Sequence, residues 1–489
     1  MVKTASEYLE GLKSTPLRIW YKGERTPPLQ VEKLRRQAVV VADYFQHHHE
    51  RPDVNIVSSQ ADKHSVTLLI ARNRDDLRRK SECFYSLAKN YLGIVGRPPD
   101  YINAVFSTWA GCSSLFGDYA VNVANYHREM AANDYFVTHS TSELKGGPKT
   151  GIRVVAERDD GVVLSGARAM ATSAAVSDEM FIAPTRINDE ELDKAIVCAI
   201  PTHTQGLNLI CRQNFDSGSD LSAYFDESDA LVVLDKVFVP WERVFIYRDL
   251  NLYKSIVKTT GTVLAASLQT NTRAIAKLES LIELMLAWKE IYPKYHSTGF
   301  GQTAGAALRD LQILKALQFQ AIENSKMVNG CMQADGEAIE AAKFYFMESY
   351  PKIIAGLRAD MGPELFYLFD PEDIDRGLAE ELCAQWGIDH DAFEARQKVS
   401  KVLFDLLIAT FGVRHELYEQ FYAGNPKNGI SNYWNAYGSA HRGPHFFEKL
   451  RQVSLDYLKC FEAKQSVFEP YERLQKTFIE DGDPPLQRP

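Results

Sequence analysis

A chain of 489 residues with 45% hydrophobic and 24% charged residues has the composition of a folded globular protein, and its length predicts two or three domains. No run reaches the roughly 18 apolar residues of a membrane span, and a net charge of −9 without a basic block argues against nucleic acid. The expected partner is a small molecule, and the seven scattered cysteines, which include no C-x-x-C pair, are expected to be reduced.

The N-terminal third is predicted to be mainly helical. Residues Thr4 to Leu9 begin as a capped helix, Arg18 to Gln30 read as a short hairpin, and Asp75 to Gly93 carry apolar residues at helical spacing. The run His47 to His49 is not predicted to bind a metal, because adjacent helix positions point in different directions. The first residues show neither an apolar signal core nor an Arg-rich transit pattern, which favours a cytoplasmic protein.

The segment GRPPDYIN, Gly96 to Asn103, places Arg97, Asp100 and Tyr101 within five positions. Its two consecutive prolines restrict the backbone and disfavour helical conformations before them, which predicts a stiff loop that presents polar side chains. Such loops often carry chemistry. The alternative is a surface arginine beside a tyrosine of the core.

A second polar position follows Asp134, where an apolar strand-like stretch changes into a Gly-rich loop. His139 stands at this change, with Ser140 and Thr141 beside it. Since the ordinary pKa of histidine lies near neutrality, His139 is a candidate general base, or a donor to an anionic or peroxide oxygen. The alternative is a histidine that only caps the end of a strand.

Residues 151–246 show the alternation of short strands, with an Asp160-Gly161 hairpin signal, and predict a compact β-barrel or sandwich. The long polar loop from Gln213 to Asp229 is predicted to act as a lid over the site.

From Asn251 onwards the pattern is helical and predicts a bundle, interrupted by an acidic excursion from Met361 to Phe393 and followed by a Pro-rich tail. Three of the predicted helices are inferred from mainly apolar residues at helical spacing. These residues are Ile275, Leu278, Ile282 and Met285; Val399, Leu403, Leu406 and Thr410; and Phe447, Leu450, Ser454 and Leu458. The predicted fold class is α+β, with a helical domain at 1–138, a small β-barrel domain at 139–250 and a helical bundle at 251–489.

This order of domains is similar to the acyl-CoA dehydrogenase architecture. Five blocks of sequence resemble the 4-hydroxyphenylacetate 3-hydroxylase family, and the resemblance runs nearly end to end. The blocks are TASEYLEGL, GRPPDYIN, SGARAMATSAAVSDEMFIAP, YFDESDALVVLDKVFVPWERVFIYRD and FGVRHELYEQFYAGNPKN.

The resemblance implies the oxygenase component of a two-component aromatic hydroxylase. Such enzymes use reduced FAD (FADH2) and O2 to form a C4a-hydroperoxide, which hydroxylates a phenol ortho to its hydroxyl and gives a catechol. A separate NAD(P)H:flavin reductase and a homotetramer are also implied. Because no Rossmann G-x-G-x-x-G motif accompanies a nicotinamide site, the purified protein is expected to carry little FAD. The identity of the phenol, free or carrier-tethered, stays open.

The resemblance also implies roles for individual residues. Arg97, Tyr101 and His139 match the substrate and hydroperoxide residues, and their chemistry suits a phenolate, a hydrogen-bond donor and a proton acceptor. The implied FAD contacts are His139, Ser140, Thr141, Lys145, Thr172, Ala423, Gly424, Asn425 and Pro426. The loop HSTSELKGGPKT departs from the Asn-Pro-Gln type of turn expected after the histidine, and Thr172 could instead be a solvent-facing strand hydroxyl.

Another flavoprotein class could share this architecture without inserting oxygen. An acyl-CoA dehydrogenase would need a carboxylate base in the bundle, and an iron-sulfur dehydratase would need clustered cysteines near Tyr101, where Cys112 stands alone in the sequence. A catalytically silent scaffold would leave Arg97, Tyr101 and His139 without a role, although burying such polar groups is costly.

Overall fold

The structure, a computed structural model, describes residues 2–58, 63–142, 151–184, 187, 191–216, 218–292, 298–370, 372, 374–438, 452, 455 and 459. Lys145, the predicted helix around Phe447 to Leu458 and the Pro-rich tail lie outside the described residues or almost entirely so. The chain forms two compact units, Met1–Gly429 and Ile430–Pro489. No helix in the described ranges is long and apolar enough to cross a membrane. The predicted domain boundaries stay a prediction.

The N-terminal region is helical, as predicted. In the first helix, Thr4 and Glu7 form a reciprocal capping box, which satisfies backbone amides that the helix leaves unpaired. The helices are α1 (Ala5–Ser14), α2 (Glu32–Glu50), α3 (Pro52–Asn55), α4 (Arg74–Asn90), α5 (Pro99–Gly111) and α6 (Ala120–Asn133).

The prediction of a stiff loop at GRPPDYIN was wrong beyond its first three residues. Helix α5 begins at Pro99, so that Asp100 and Tyr101 lie in its first turn. Proline is well tolerated at the first helical position because its missing N–H would have no partner there. Arg97 therefore lies just before a helix, in a chain that Pro98 keeps extended.

The described part of the chain contains fourteen strands, which build two larger sheets and two hairpins. Within residues 151–246 they follow the predicted strands, and Asp159 and Asp160 form the turn of the predicted hairpin. The strands are β1 (Ile19–Tyr21), β2 (Glu24–Thr26), β3 (Ile56–Ser58), β4 (Lys63–Ser65), β5 (Val137–Ser140), β6 (Arg153–Arg158), β7 (Gly161–Thr172), β8 (Glu179–Ile182), β9 (Ile196–Pro201), β10 (Leu207–Cys211), β11 (Asp229–Pro240), β12 (Val244–Tyr247), β13 (Lys326–Val328) and β14 (Cys331–Gln333).

The sheets are open, so the predicted closed barrel was wrong. One sheet has six strands in the order β2-β1-β10-β11-β7-β6, and the other has four in the order β12-β9-β8-β5. The pairs β1–β10 and β5–β8 are parallel, whereas the other pairs of these sheets are antiparallel. Alternating apolar residues occur in open and closed sheets alike, so the pattern could not separate them.

The polar segment 213–229 is only partly a loop. Helix α7 (Asp220–Phe225) lies inside it, and the Ser219 hydroxyl caps its first turn and donates to Asp405. Asp226 is buried and accepts hydrogen bonds from Lys33 at 3.0 Å and from Arg212 at 2.6 Å. Buried ion pairs therefore anchor this segment, and its role as a lid stays a prediction.

The described residues from 250 to 438 are mainly helical, as predicted, but they also include the β13–β14 hairpin, which the sequence pattern did not predict. The helices are α8 (Leu250–Thr259), α9 (Thr262–Ile291), α10 (Thr298–Glu323), α11 (Gly336–Met361), α12 (Ala379–Trp386), α13 (His390–Leu407), α14 (Thr410–Phe421) and α15 (Pro426–Tyr437). Helix α9 contains the predicted stripe from Ile275 to Met285. Helix α13 ends at Leu407, so Thr410, expected on the same helix, instead begins α14.

The apolar core does not stop where the N-terminal helices end. One cluster joins Phe45 of α2 and Leu87 of α4 to strand residues such as Val162 and Ile182. A second cluster fills the bundle, where Leu278 of α9 packs with Phe346 of α11 and Leu403 of α13. The early helices and the strands thus share one core.

Cys112 is not isolated in space, contrary to the expectation from the sequence. The hairpin of β13 and β14 brings Cys331 to it from the other half of the chain, and the two thiols interact. The other predicted thiols, where the structure describes them, are also reduced.

Candidate active site

Arg97 is held at the start of α5 by residues from the far end of the chain. It is 9% exposed, and its guanidinium donates to the Tyr418 hydroxyl at 2.5 Å, to the Tyr422 carbonyl at 3.1 Å and to the Gly96 carbonyl at 3.1 Å. Tyr418 donates in turn to the Gly96 carbonyl at 2.9 Å. The last turn of α14 therefore fixes the direction of the guanidinium.

Glu227 binds the backbone of the same turn. Its two carboxylate oxygens accept from consecutive amides, that of Gly96 at 2.7 Å and that of Arg97 at 2.9 Å. The side chain is buried, which raises its pKa, while Arg414 and the two amides act in the opposite direction. Glu227 thus fixes the backbone of Arg97 as Tyr418 fixes its side chain.

Tyr101 lies between the other two predicted catalytic residues. The Arg97 guanidinium is 4.3 Å from the centre of the Tyr101 ring, and the His139 ring centre is 5.1 Å from it on a ring tilted by 35°. Arg97 and Tyr101 come from the α5 region, and His139 comes from β5. The structure brings together a row of cation, phenol and imidazole.

His139 does not have the pKa that the sequence suggested. Burial and the nearby Arg97 cation lower its pKa to about 3. The imidazole is therefore neutral at physiological pH. The expectation that its charge changes near neutrality was wrong, because it assumed the pKa of an exposed histidine. An imidazole with so low a pKa is a weak base and serves better as a hydrogen-bond partner.

Asp100 is the residue of this turn whose charge changes near neutrality. It is fully buried, its Oδ1 accepts from Gln269 at 3.2 Å, and its Oδ2 has no hydrogen-bond partner among the described residues. Burial raises its pKa to about 7, and the bond from Gln269 offsets this only in part.

The replacement Asp100→Asn should therefore change the dependence of stability on pH. The folded protein keeps a proton on Asp100 up to about pH 7, whereas the unfolded chain loses it near pH 4, so wild-type stability falls as pH rises between these values. Asparagine does not titrate. Between pH 5 and pH 8 the variant should gain on the order of 3 kcal/mol relative to wild type, measured by urea denaturation.

The exposed Asp159→Asn variant is the matched control and should move by less than about 0.5 kcal/mol at either pH. A gap between Asp100→Asn and wild type that stays constant with pH would show that Asp100 is ionised throughout.

The predicted flavin residues on the strands lie close to this row. Ser140 is fully buried next to His139, and its hydroxyl has no hydrogen-bond partner among the described residues. The Thr141 carbonyl accepts from Arg168 at 3.1 Å. Thr172 is half-buried, and its hydroxyl donates to Asp229 at 2.8 Å, so it is not the solvent-facing strand residue considered as the alternative.

The predicted turn from Ala423 to Pro426 follows Tyr422, whose carbonyl binds Arg97. Its first three residues are exposed, and Gly424 has a φ of 97°, a conformation that glycine adopts without strain. The Asn425 side chain accepts from the amide of Lys427 at 3.0 Å, which caps α15. This backbone is open to a ligand.

Two further groups of residues support the site, and sequence reasoning missed them. Glu227 and Tyr418 hold Arg97, while Asp229 accepts from Arg212 at 2.8 Å and from Arg414 at 3.0 Å. Apart from Arg212, these residues lie in the blocks FDESD and FGVRHELYEQF. The signal that could have found them was the concentration of charges within otherwise apolar segments.

The Glu227→Gln variant should show that Arg97 depends on this support. The amide replaces one acceptor oxygen by a donor that faces a backbone N–H, which costs about 1–3 kcal/mol. A turn loosened in this way should lower any activity that depends on Arg97 by roughly tenfold, and circular dichroism should show the same helix content. The exposed Glu242→Gln is the matched control, and equal activities of the two variants would contradict the role of Glu227.

Comparison with known proteins identifies the family of this chain. Family models described as the N-terminal and C-terminal parts of 4-hydroxyphenylacetate 3-hydroxylase match residues 4–246 and 253–442. A relative from Thermus thermophilus, the oxygenase component of 4-hydroxyphenylacetate 3-monooxygenase, is 29% identical and is covered over 100% of its length by 95% of this chain.

Two solved structures share the fold of this chain. The oxygenase component of 4-hydroxyphenylacetate 3-monooxygenase in complex with FAD superposes with a TM-score of 0.86 at 27% identity, over 94% of this chain and 100% of the other. An archaeal 4-hydroxybutyryl-CoA dehydratase from N. maritimus has a TM-score of 0.79 at 17% identity, over 88% and 91%, which shows a shared fold alone. The predicted acyl-CoA dehydrogenase-like α+β fold is confirmed, apart from barrel closure. The chain belongs to the 4-hydroxyphenylacetate 3-hydroxylase family.

Proposed function

We propose that this protein is the oxygenase component of a two-component aromatic hydroxylase, which uses FADH2 and O2 to hydroxylate a phenol ortho to its hydroxyl and yields a catechol. The observation that carries the proposal is the row of Arg97, Tyr101 and His139. Its support is the membership of the family and the FAD complex of the solved relative.

The described residues fit a flavin. Ser140 offers a buried hydroxyl without a partner, Thr172 is half-buried beside β5, and Gly424 leaves its backbone open. Buried polar atoms without partners are rare in folded proteins, so the Ser140 hydroxyl is a fitting contact for a bound ligand. We assign FAD binding to His139, Ser140, Thr141, Thr172 and the turn 423–426, whereas Lys145 keeps the role implied by the resemblance.

Each member of the row has a task that its surroundings support. Reduced FAD, when bound, supplies the electrons and the site at which O2 is activated. The Arg97 cation, held in a buried position, favours the phenolate form of a bound phenol, since charges interact more strongly away from water. The Tyr101 hydroxyl donates a hydrogen bond to an oxygen of the reacting groups, and neutral His139 orients that oxygen without adding charge.

The bundle carboxylate beside Tyr418 does not support the dehydrogenase alternative. Glu419 lies on α14 next to Tyr418, but Arg273 binds it at 2.6 Å and Lys277 at 2.7 Å, and all three side chains are buried. These cations lower its pKa to about 2, which suits an ion pair and not a base. For a dehydratase, the described residues contain no group of three or more His, Cys, Asp or Glu that could hold a metal.

We further propose a separate NAD(P)H:flavin reductase as the source of FADH2, a cytoplasmic location and a homotetramer. The term oxygenase component in the names of the relatives supports the reductase. Sedimentation velocity tests the tetramer, and a monomer at micromolar concentration would contradict it.

A panel of para-substituted phenols with chemically reduced FAD under air tests the activity. We expect catechols, identified by mass spectrometry, with a dependence on the substituent that shows the preferred phenol. NADH without a reductase should give no catechol. Catechol formation from NADH alone would contradict the two-component assignment, and hydrogen peroxide as the sole product from every phenol would contradict the hydroxylase.

A further inference from the structure

Two cysteines from distant parts of the chain meet at the C-terminal end of α5. Cys112 follows the last residue of α5 and is 0% exposed, and Cys331 begins β14 and is 2% exposed. The two thiols interact directly, since each is the largest influence on the pKa of the other. The Cys112 sulfur also lies 4.0 Å from the carbonyl oxygen of Val328, which pairs with Cys331 across the hairpin. The two cysteines are therefore neighbours in the fold.

The backbone around the pair holds the two segments together. The Arg72 guanidinium donates to the carbonyl oxygens of Gly111 and Gly330, the residues that directly precede the two cysteines. A Cβ on Gly111 would lie 2.4 Å from the Cys331 sulfur, so only glycine permits this approach. One arginine and one glycine thus set the distance between α5 and the hairpin.

The charges near the pair favour the thiolate of one cysteine. The buried Lys80 ammonium is held by three neutral acceptors, the carbonyls of Thr67 and Leu69 and the hydroxyl of Ser107. The interaction with Cys112, together with the Lys80 and Arg72 charges, lowers the pKa of Cys331 although its burial raises it, whereas the same interaction raises the pKa of Cys112. Cys331 is therefore the more nucleophilic thiol.

We propose that Cys112 and Cys331 are a peroxide-sensitive thiol pair that closes to a disulfide between α5 and the β13–β14 hairpin. The Cys331 thiolate attacks one oxygen of hydrogen peroxide, the O–O bond breaks, and a sulfenic acid and hydroxide form. The Cys112 sulfur then attacks the sulfenic sulfur, the S–S bond forms, the S–O bond breaks, and the leaving hydroxide takes the Cys112 proton as water. Peroxide gains two electrons, and each sulfur loses one.

Exposed residues lie directly beside the pair. Gly330 and the neighbouring hairpin residues are exposed, and the Arg72 side chain beside them is exposed too. Cys83 and Cys198, in contrast, lie in the apolar core, and burial raises the pKa of both thiols. Oxidation should therefore select the pair over these two cysteines. The disulfide would tie down the C-terminal end of α5, the helix whose first turn contains Tyr101.

The test uses the full-length protein and added hydrogen peroxide, so its outcome does not depend on the hydroxylase activity. After peroxide treatment, catalase quenching, denaturation and alkylation, we expect two of the seven thiols to be lost. Peptide mapping should find Cys112 linked to Cys331, and dithiothreitol should restore both.

Three variants sharpen the result. In Cys112→Ser, dimedone should trap a sulfenic acid at Cys331, and in Cys331→Ser the linked peptide should be absent. Cys83→Ser is the matched control and should still form the link. Seven alkylated thiols after a molar excess of peroxide, oxidation spread over all cysteines, or conversion of Cys331 to sulfinic acid without a link would each overturn the proposal.

Discussion

The Arg97→Ala variant is expected to lose catechol formation by on the order of 10²-fold, or roughly 3 kcal/mol of transition-state stabilisation. The guanidinium is buried and fixed by Tyr418 and Tyr422, so its field acts on a bound phenol without the screening of water. Because charge develops on the phenol oxygen during the reaction, the variant should lose more in catalysis than in binding of reduced FAD.

Three measurements separate this role from a structural one. The ratio of hydrogen peroxide to catechol should rise in Arg97→Ala, and millimolar guanidinium should restore part of the hydroxylation. The exposed Arg79→Ala removes the same charge from α4 and should leave both quantities within about twofold. A variant without Arg97 that keeps its catechol yield would remove the cation from the mechanism.

Catechol formation by the His139→Ala variant is expected to fall by about 10²-fold. The shape of its pH profile between pH 5 and 8 should not change. The low pKa of about 3 makes His139 neutral over this whole range in wild type. Its loss therefore removes a hydrogen-bond partner and leaves the titration of the site unchanged. His139→Gln keeps a neutral amide near the same position and should retain more activity than His139→Ala.

Rates of catechol formation over this pH range, at saturating phenol, decide the point. If wild type shows an inflection near pH 6.5 that His139→Ala abolishes, the imidazole titrates after all, and it would then act as a base. A loss of FAD binding equal to the loss of rate would instead make His139 a flavin contact alone.

Local patterns in the sequence predicted most of the helices and strands, but they did not predict how these elements are arranged in the fold. The capping box at Thr4, the strands of residues 151–246 and the stripe of α9 depend on neighbouring residues, and all appear in the structure. The start of α5 was missed because two prolines are compatible with a loop and with a helix N-terminus. Sheet closure was missed because strand order is a property of the whole chain.

The surroundings of the site residues could be predicted even less from local sequence. Arg97, Tyr101 and His139 could be chosen from their chemistry and from the resemblance to a family, yet nothing near them in sequence indicates their surroundings. Glu227 lies 130 residues from Arg97, and Tyr418 lies 321 residues from it. The low pKa of His139 arises from burial and from Arg97, both of which exist only in the folded protein.

The long sequence distance between Arg97 and Tyr418 affects how the site forms during biosynthesis. At roughly 5–20 residues per second, a ribosome needs on the order of 15–60 s to reach Tyr418 after it has made Arg97. During this interval the nascent chain contains the arginine of the site but not α14, and the buried Asp229 lacks Arg414. Ligand binding should therefore begin only after α14 has been synthesised, and fragments that end before α14 should be substrates for chaperones and proteases rather than partial enzymes.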